Sequence, residues 1–429
     1  MSEADDPPRR GWLAPGSPLG PFRHPAFRAI WVANLFSSIG AMVQSVGAAW
    51  LMTELTRSHV LIALVQASAT IPIMLLGVFA GAIADNYDRR RVMLVAQGGM
   101  LVVSALLAAL AWADAIGPYL LLAFTLAVGA GTALNAPAWQ ASVRLQVEPA
   151  DLPQAISLGA IAFNLARSVG PALGGVLISL WSPALAFALN AASYLGMIFV
   201  LLRWNPPRYD PRRTPMLAAI RTGLDFCRRN GPIRKVLTRG FAFGFGAAGY
   251  QALLPGIARD RLAGDEIDYG LMLGAFGVSS ILVALFVARW RRRVGSEAIV
   301  IVATVAFLAA QLLIAQADSL VTALPATFVA GAGWVAAMTS LNVAMQLRSP
   351  EAILGRCLSI YQAVTFGGMA LGAWGWGAVA DWRGLPFALH AAAGWLALTL
   401  LLHWLAPMPR RDEGRIDAVG EPALTTVRG

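Results

Sequence analysis

Along this chain, charged residues fall in short clusters, and between the clusters lie uncharged stretches of about 20 residues, long enough to cross a bilayer as helices. Apolar runs begin near Phe27, Val60, Val92, Tyr119, Ala155, Pro183, Val236, Tyr269, Ala298, Leu320, Leu358 and Leu385. Only helices and closed barrels satisfy their backbones in lipid, and these runs are too long and too uniformly apolar for barrel strands. The pattern predicts an all-α polytopic membrane protein with twelve transmembrane helices. The longest interruption, Arg203 to Lys235, opens with the Pro-rich "RWNPPRYDPRRTP" and continues as "AAIRTGLDFCRRNGPIRKVL", where Ile220, Leu224 and Cys227 stand against Arg221, Arg228 and Arg229. That spacing predicts an amphipathic helix on the inner leaflet, with a solvated linker as the alternative. The expected division is a terminal segment at 1–26, a six-helix bundle at 27–204, a linker at 205–235, a second six-helix bundle at 236–406 and a tail at 407–429.

Composition agrees: 57% of the 429 residues are hydrophobic and 13% charged, and the mean hydropathy is +0.62, well outside soluble domains. A net charge of +10 would suggest nucleic acid in a soluble protein, but here the basic residues concentrate in alternate short loops. Arg23 and Arg28, Arg89 to Arg91, Arg144, the central linker, Arg289 to Arg293, Arg348 with Arg356, and Arg410 with Arg411 fall on one side, against Arg57, Arg259, Arg261 and Arg383 on the other. The asymmetry predicts cytoplasmic termini in a bacterial-type inner membrane and no nucleic-acid partner. The first 26 residues show no small-residue cleavage site behind a short apolar core, so the first helix reads as a retained anchor.

Cys227 and Cys357 have no metal-ligand spacing and fall on the reducing side, where a disulfide is not expected. The four histidines, at 24, 59, 390 and 403, are scattered; no metal site, cofactor or nucleophile-base pair emerges, so an enzyme is not expected. "GFGAAG" from Gly244 lacks a preceding strand and reads as helix packing. No Walker sequence is present, so a gradient rather than ATP must drive any transport.

The two halves resemble each other. "VGAGTALNAPAWQ" from Val128 aligns with "AGAGWVAAMTSLN" from Ala330, and at the same offset Gly170 and Gly175 correspond to Gly372 and Gly377. Two pseudo-symmetric six-helix bundles facing a central cavity are a transporter architecture.

The inner loop "GAIADNYDRRRVML" resembles the signature loop of the major facilitator superfamily: Gly81, Ala84, Asp85, Arg89 and Arg90 match, while Asn86 and Asp88 depart from its usual Arg and Gly. A second stretch is similar to the branch of enterobactin-type exporters and drug efflux proteins, through Pro149, Asp151, Leu152, Gln154, Ala155, Asn164, Arg167, Gly170, Pro171, Gly174 and Gly175. The resemblance implies export of a hydrophobic or amphipathic small molecule, siderophore- or drug-like, by proton antiport and alternating access. It also implies a conformational latch of Gly81, Asp85, Arg89 and Arg90, in which Asp85 meets the inner end of the eleventh span. Physically, Asp85 can pair with either arginine or with a helix amino terminus in one conformation and part from it in another. A lipid or lysolipid flippase and a non-transporting receptor or scaffold are the alternatives. Expected partners are the small-molecule substrate, protons or another ion, and membrane lipids, around a monomer.

Arg167 stands about ten residues from either end of its span, where a charge costs several kcal/mol unless it faces protein or water. It reads as a substrate or coupling residue, or as a structural tie to carbonyls. Asn164 lies one turn before it, and Pro171 cannot donate to its carbonyl. Gly170, Pro171, Gly174 and Gly175 form a helix-packing motif. The resemblance implies that spans one, four, seven and ten line the cavity, which makes Asn34, Gln44, Asn135, Tyr250 and Asn342 further candidates, though each also reads as a helix-helix hydrogen bond. No acid lies deep in a span. Glu54, Asp85 and Asp381 sit near ends, so proton coupling rests on the resemblance.

Overall fold

Proline opens α1 (Pro25–Leu55), α4 (Pro118–Ser142) and α6 (Pro183–Arg203), at first-turn positions whose N–H has no helical partner anyway. Side chains cap others: Ser58 accepts from the backbone of α2 (His59–Asn86) and Asp88 from that of α3 (Arg89–Trp112). Asn230 does the same for α8 (Gly231–Gln251), Asp265 for α10 (Glu266–Gln316) and Ser319 for α11 (Leu320–Gln346). The remaining helices are α5 (Leu152–Leu180), α7 (Met216–Arg229), a short α9 (Leu254–Gly256), α12 (Leu354–Arg383) and α13 (Leu385–Leu405). This computed structural model describes residues 17–206, 216–350, 353–405 and 407, without the side chains of Val78, Ala82, Asp85, 216–220, 404 and 405.

Among the described residues, nine helices are long and apolar enough to cross a membrane, α10 being one of them. α10 is broken at Gly295, whose φ of 85° suits glycine. Tyr250 packs its ring on Phe276 before the break and Phe307 after it, with centroids 6.2 and 5.9 Å away, so the chain doubles back there. Counting its two arms separately and adding α8, whose charges fall in its first half, and α12, whose charges lie toward its ends, completes twelve spans. They form two six-helix bundles, α1 to α6 and α8 to α13. Three of the apolar runs, those at Pro183, Leu320 and Leu385, begin on the first residue of a helix.

The glycines shared by the two halves hold equivalent places. A Cβ on Gly170 would stand 2.5 Å from Met42 of α1, and Gly372 lies under Phe245 of α8, so each admits the first helix of its own bundle. Gly175 and Gly377 serve the seam between bundles: Gly175 meets Glu266 and Gly270 of α10, and Gly377 meets His59 and Val60 of α2. The pseudo-symmetry in the letters is thus a symmetry of close backbone approaches. Gly244, Gly246 and Gly249, the discounted glycine string, pack against α12 and α13.

The linker helix α7 sets Gly223 and Cys227 against the foot of α12, where Cys227 Sγ lies 3.9 Å from Cys357 Sγ, both thiols free. Leu224, from the same predicted apolar stripe, is exposed. Ile220 lies outside the described side chains.

At the end of the molecule where α1 begins, the turn before α5 is pinned to the start of α1. Asp151, fully buried, accepts from Arg23 Nε at 2.8 Å and lies 2.9 Å from His24 Nε2, while Glu148 also takes the Arg23 guanidinium. These bonds, to Asp151 first and Glu148 second, hold the Arg23 guanidinium above its usual pKa. Asp151→Ala leaves two donors facing an emptied site. Its thermal unfolding midpoint is expected to fall by several degrees, with Asp151→Asn intermediate, as followed by the unfolding of detergent-purified protein.

Candidate functional site

Arg167, in the middle of α5, turns its guanidinium toward the second bundle. Its Cζ lies 5.6 Å from the centre of the Phe276 ring on α10, a cation–π arrangement. Among the described residues the side chain has no hydrogen-bond or ion-pair partner. Beside it, Gly277 of α10 presses on Ser168 and on the Arg167 carbonyl, and the buried Ser168 hydroxyl is unpaired. A cation at the seam with one aromatic face and no counter-charge can receive an anionic group.

The other candidates divide. Gln44, buried, accepts from Asn190 Nδ2 at 2.7 Å, and Asn190 in turn bonds Tyr194 at 3.1 Å, a network within the first bundle. Tyr250, fully buried, donates its O–H to Thr327 at 3.1 Å within the second. Asn164 donates to the Ala160 carbonyl at 2.9 Å, and Asn342 accepts from Gln346 at 2.6 Å. Asn135 keeps a buried, unpaired Oδ1, and Asn34 is half-buried. The bonds of Gln44, Tyr250, Asn164 and Asn342 thus stay within their own bundles and none of them goes to Arg167.

In the signature loop, Arg89 donates to the Ala141 carbonyl at 2.9 Å and Arg90 to those of Leu201 and Leu202 at 2.7 and 2.8 Å. Both guanidiniums thereby sit at the carboxyl-terminal ends of α4 and α6, where cations are favoured. Gly81 has open space around it. The Asp85 side chain lies outside the described residues; its backbone falls in the last turn of α2.

A second constellation, at the far end, where α2 begins and α12 ends, ties the two bundles together. Asp381, ending α12, caps the start of α2: its carboxylate accepts from the Ser58 hydroxyl at 2.8 Å and from the His59 and Val60 amides at 2.5 and 3.2 Å. Arg259, in the irregular Ile257–Arg261 segment after α9, donates to the Thr56 carbonyl at 3.1 Å and to that of Thr53, at the end of α1. An acid at an amino terminus and a cation at a carboxyl terminus are each favoured by the helix dipole. Here both come from the opposite bundle. His59 lies between two carboxylates, Asp381 and Asp260. Sequence reasoning left His59 and Asp381 unassigned because they are 322 positions apart. The available signal was that an acid closes each of the two antiparallel partners, Asp85 on α2 and Asp381 on α12.

A family model described as "transmembrane secretion effector" matches residues 16–425. The chain belongs to this family of the major facilitator superfamily. Similar proteins include the enterobactin exporter of Salmonella typhimurium, 27% identical over 386 residues that cover 85% of this chain and 87% of that one. The staphyloferrin A transporter of Staphylococcus aureus is 22% identical over 262 residues, covering 60% of this chain and 65% of that protein's length. Among solved structures, the nucleoside transporter NupG superposes with a TM-score of 0.73 at 16% identity, over 90% of this chain and all of that one, a likeness of fold.

Proposed function

We propose that this transporter exports an anionic, siderophore-like small molecule across a bacterial inner membrane in exchange for protons, by alternating access, with its termini in the cytoplasm. The observation that carries the substrate class is the unpaired Arg167 guanidinium at the seam between bundles, backed by Phe276. Catecholate and carboxylate groups supply the matching charge, and an aromatic body suits the Phe276 ring beside the guanidinium. The likeness to the enterobactin exporter and the staphyloferrin A transporter supports the same class. In this reading the structure stands with its outer end tied by Asp381 and Arg259.

The test is flux in proteoliposomes under an imposed pH gradient, with catecholate and carboxylate siderophores, cationic dyes and lysolipids offered separately. Movement of an anionic siderophore, stimulated by the gradient, is expected. Movement of none of these compounds would overturn the reading. A second reading, transfer of a lysolipid, draws on a groove of about 860 Å³ between α1, α5 and α6, lined by Val32, Phe36, Leu173 and Phe199 with Arg28 at its terminal end; selective lysolipid movement would favour it.

A further inference from the structure

We propose that His59 is a proton-binding site that sets the strength of the far-end tie: protonation of its imidazole closes that end of the transporter, and deprotonation lets it part. The inference rests on the alternating-access reading above, but its test needs no substrate. His59 is the first residue of α2. Its Nδ1 lies 3.0 Å from Asp381 Oδ1 on α12, and its Nε2 lies 3.2 Å from Asp260 Oδ2 in the segment before α10. Both carboxylates belong to the second bundle while the ring belongs to the first, so the imidazole is a bridge across the interface.

A neutral imidazole carries one N–H and one lone pair. It donates to one carboxylate and turns a lone pair toward the other, an acceptor against an acceptor. The imidazolium donates to both, and each bond is charge-assisted. The other groups around the ring do not supply the missing charge. Arg259 is engaged by Asp260 at 2.5 and 2.8 Å and by the α1 carbonyls, and Arg57, 3.9 Å from Asp260, is 89% exposed. Arg261 pairs with Asp318, and Arg383, two residues beyond Asp381, lies over the Trp382 and Phe387 rings. Asp260 thus has the Arg259 guanidinium, whereas Asp381 is held by the Ser58 hydroxyl and the His59 and Val60 amides, and a proton on His59 places a positive charge between the two carboxylates. Burial tends to raise the Asp260 carboxyl, but the Arg259 guanidinium and His59 outweigh it and hold it below the usual range. Asp260 thus stays ionised and able to accept from the ring. No group of side chains among the described residues is arranged to hold a metal ion here.

The sign follows by linkage. When the end parts, the imidazole loses both carboxylates, so the closed form binds the proton more tightly than the open one. Closure is favoured at acidic pH and lost as pH rises. Each pKa unit of difference between the two forms makes the closed-to-open ratio change by about tenfold. For an exporter driven by inward protons, acidity outside would return the emptied carrier to its substrate-loading form.

The experiment places nitroxide labels at Ala113→Cys and Val321→Cys, on the far ends of the two bundles, in a Cys227→Ser/Cys357→Ser background in lipid nanodiscs. Pulsed EPR distances are recorded from pH 5.5 to 8.5. The expected result is one short distance at acidic pH and a growing long-distance population as pH rises, with the pH dependence lost in His59→Gln. Should His59→Gln fail to insert, Asp260→Asn, which spares the Asp381 cap, is expected to shrink the same shift. A distribution that does not respond to pH in the parent protein, or a response that survives His59→Gln, overturns the proposal. A pH-dependent distance in a protein that moves no siderophore would instead leave this site standing and remove the substrate reading.

Discussion

Arg167→Ala is expected to reduce siderophore flux at least about 30-fold, as loss of one buried charge-assisted contact costs about 2 kcal/mol or more. Its thermal stability should not fall. The two readouts separate the readings of this residue. If the guanidinium were a structural tie, its removal would break hydrogen bonds and lower the unfolding midpoint. Among the described residues it makes none, and its one neighbour of note is the Phe276 ring. Removing an unpaired cation from the membrane interior relieves a desolvation cost, so the variant is expected to be as stable as the parent or more so. Arg167→Lys should keep the charge but lose the planar, two-pronged contact with a carboxylate or catecholate, leaving intermediate flux. Both variants are checked by proteoliposome flux alongside thermal unfolding in detergent.

Much of the architecture was legible because lipid imposes a coarse rule: spans must be long, apolar and helical. That rule located α6, α11 and α13 to their first residue, and it separated the two arms of α10 near Gly295, where the helix is otherwise continuous. The repeat of Gly170 and Gly175 in Gly372 and Gly377 was equally legible, and the structure gives it meaning as paired seams. The site was harder to read. A polar residue in a span announces that it has a partner but not which one. Gln44 and Tyr250 look the same in the letters as Asn34, yet the first two are consumed by Asn190 and Thr327 inside their own bundles. The far-end tie was hidden because it joins Ser58 and His59 to Asp381 and Thr56 to Arg259, pairs that only the docking of two bundles brings together. The linker shows the same limit. Its amphipathic period was plain, but hydrophobic periodicity does not distinguish a membrane surface from the foot of α12, against which Cys227 is buried.

The seam glycines yield the largest conformational effect. A Cβ at Gly175 would lie 2.5 Å from the Glu266 carbonyl oxygen and 3.1 Å from Gly270 Cα, both backbone atoms that cannot rotate aside. Gly175→Val therefore cannot let α5 and α10 approach as they do here, and the far end should stand open whatever the pH. Overpacking of this kind costs about 1–3 kcal/mol, which moves a two-state equilibrium about 5- to 150-fold. With the label pair described above, the long-distance population should dominate even at pH 5.5. Gly98→Ala, where a Cβ would meet nothing within 4 Å, should leave the distances as in the parent. The contrast with His59→Gln is informative: that change removes the response to protons while the seam can still shut, whereas Gly175→Val removes closure itself. A Gly175→Val protein that remains folded with a short far-end distance would show that α5 and α10 separate no further during the cycle, and would place the moving contact at the α2–α12 seam, where Gly377 meets His59 and Val60.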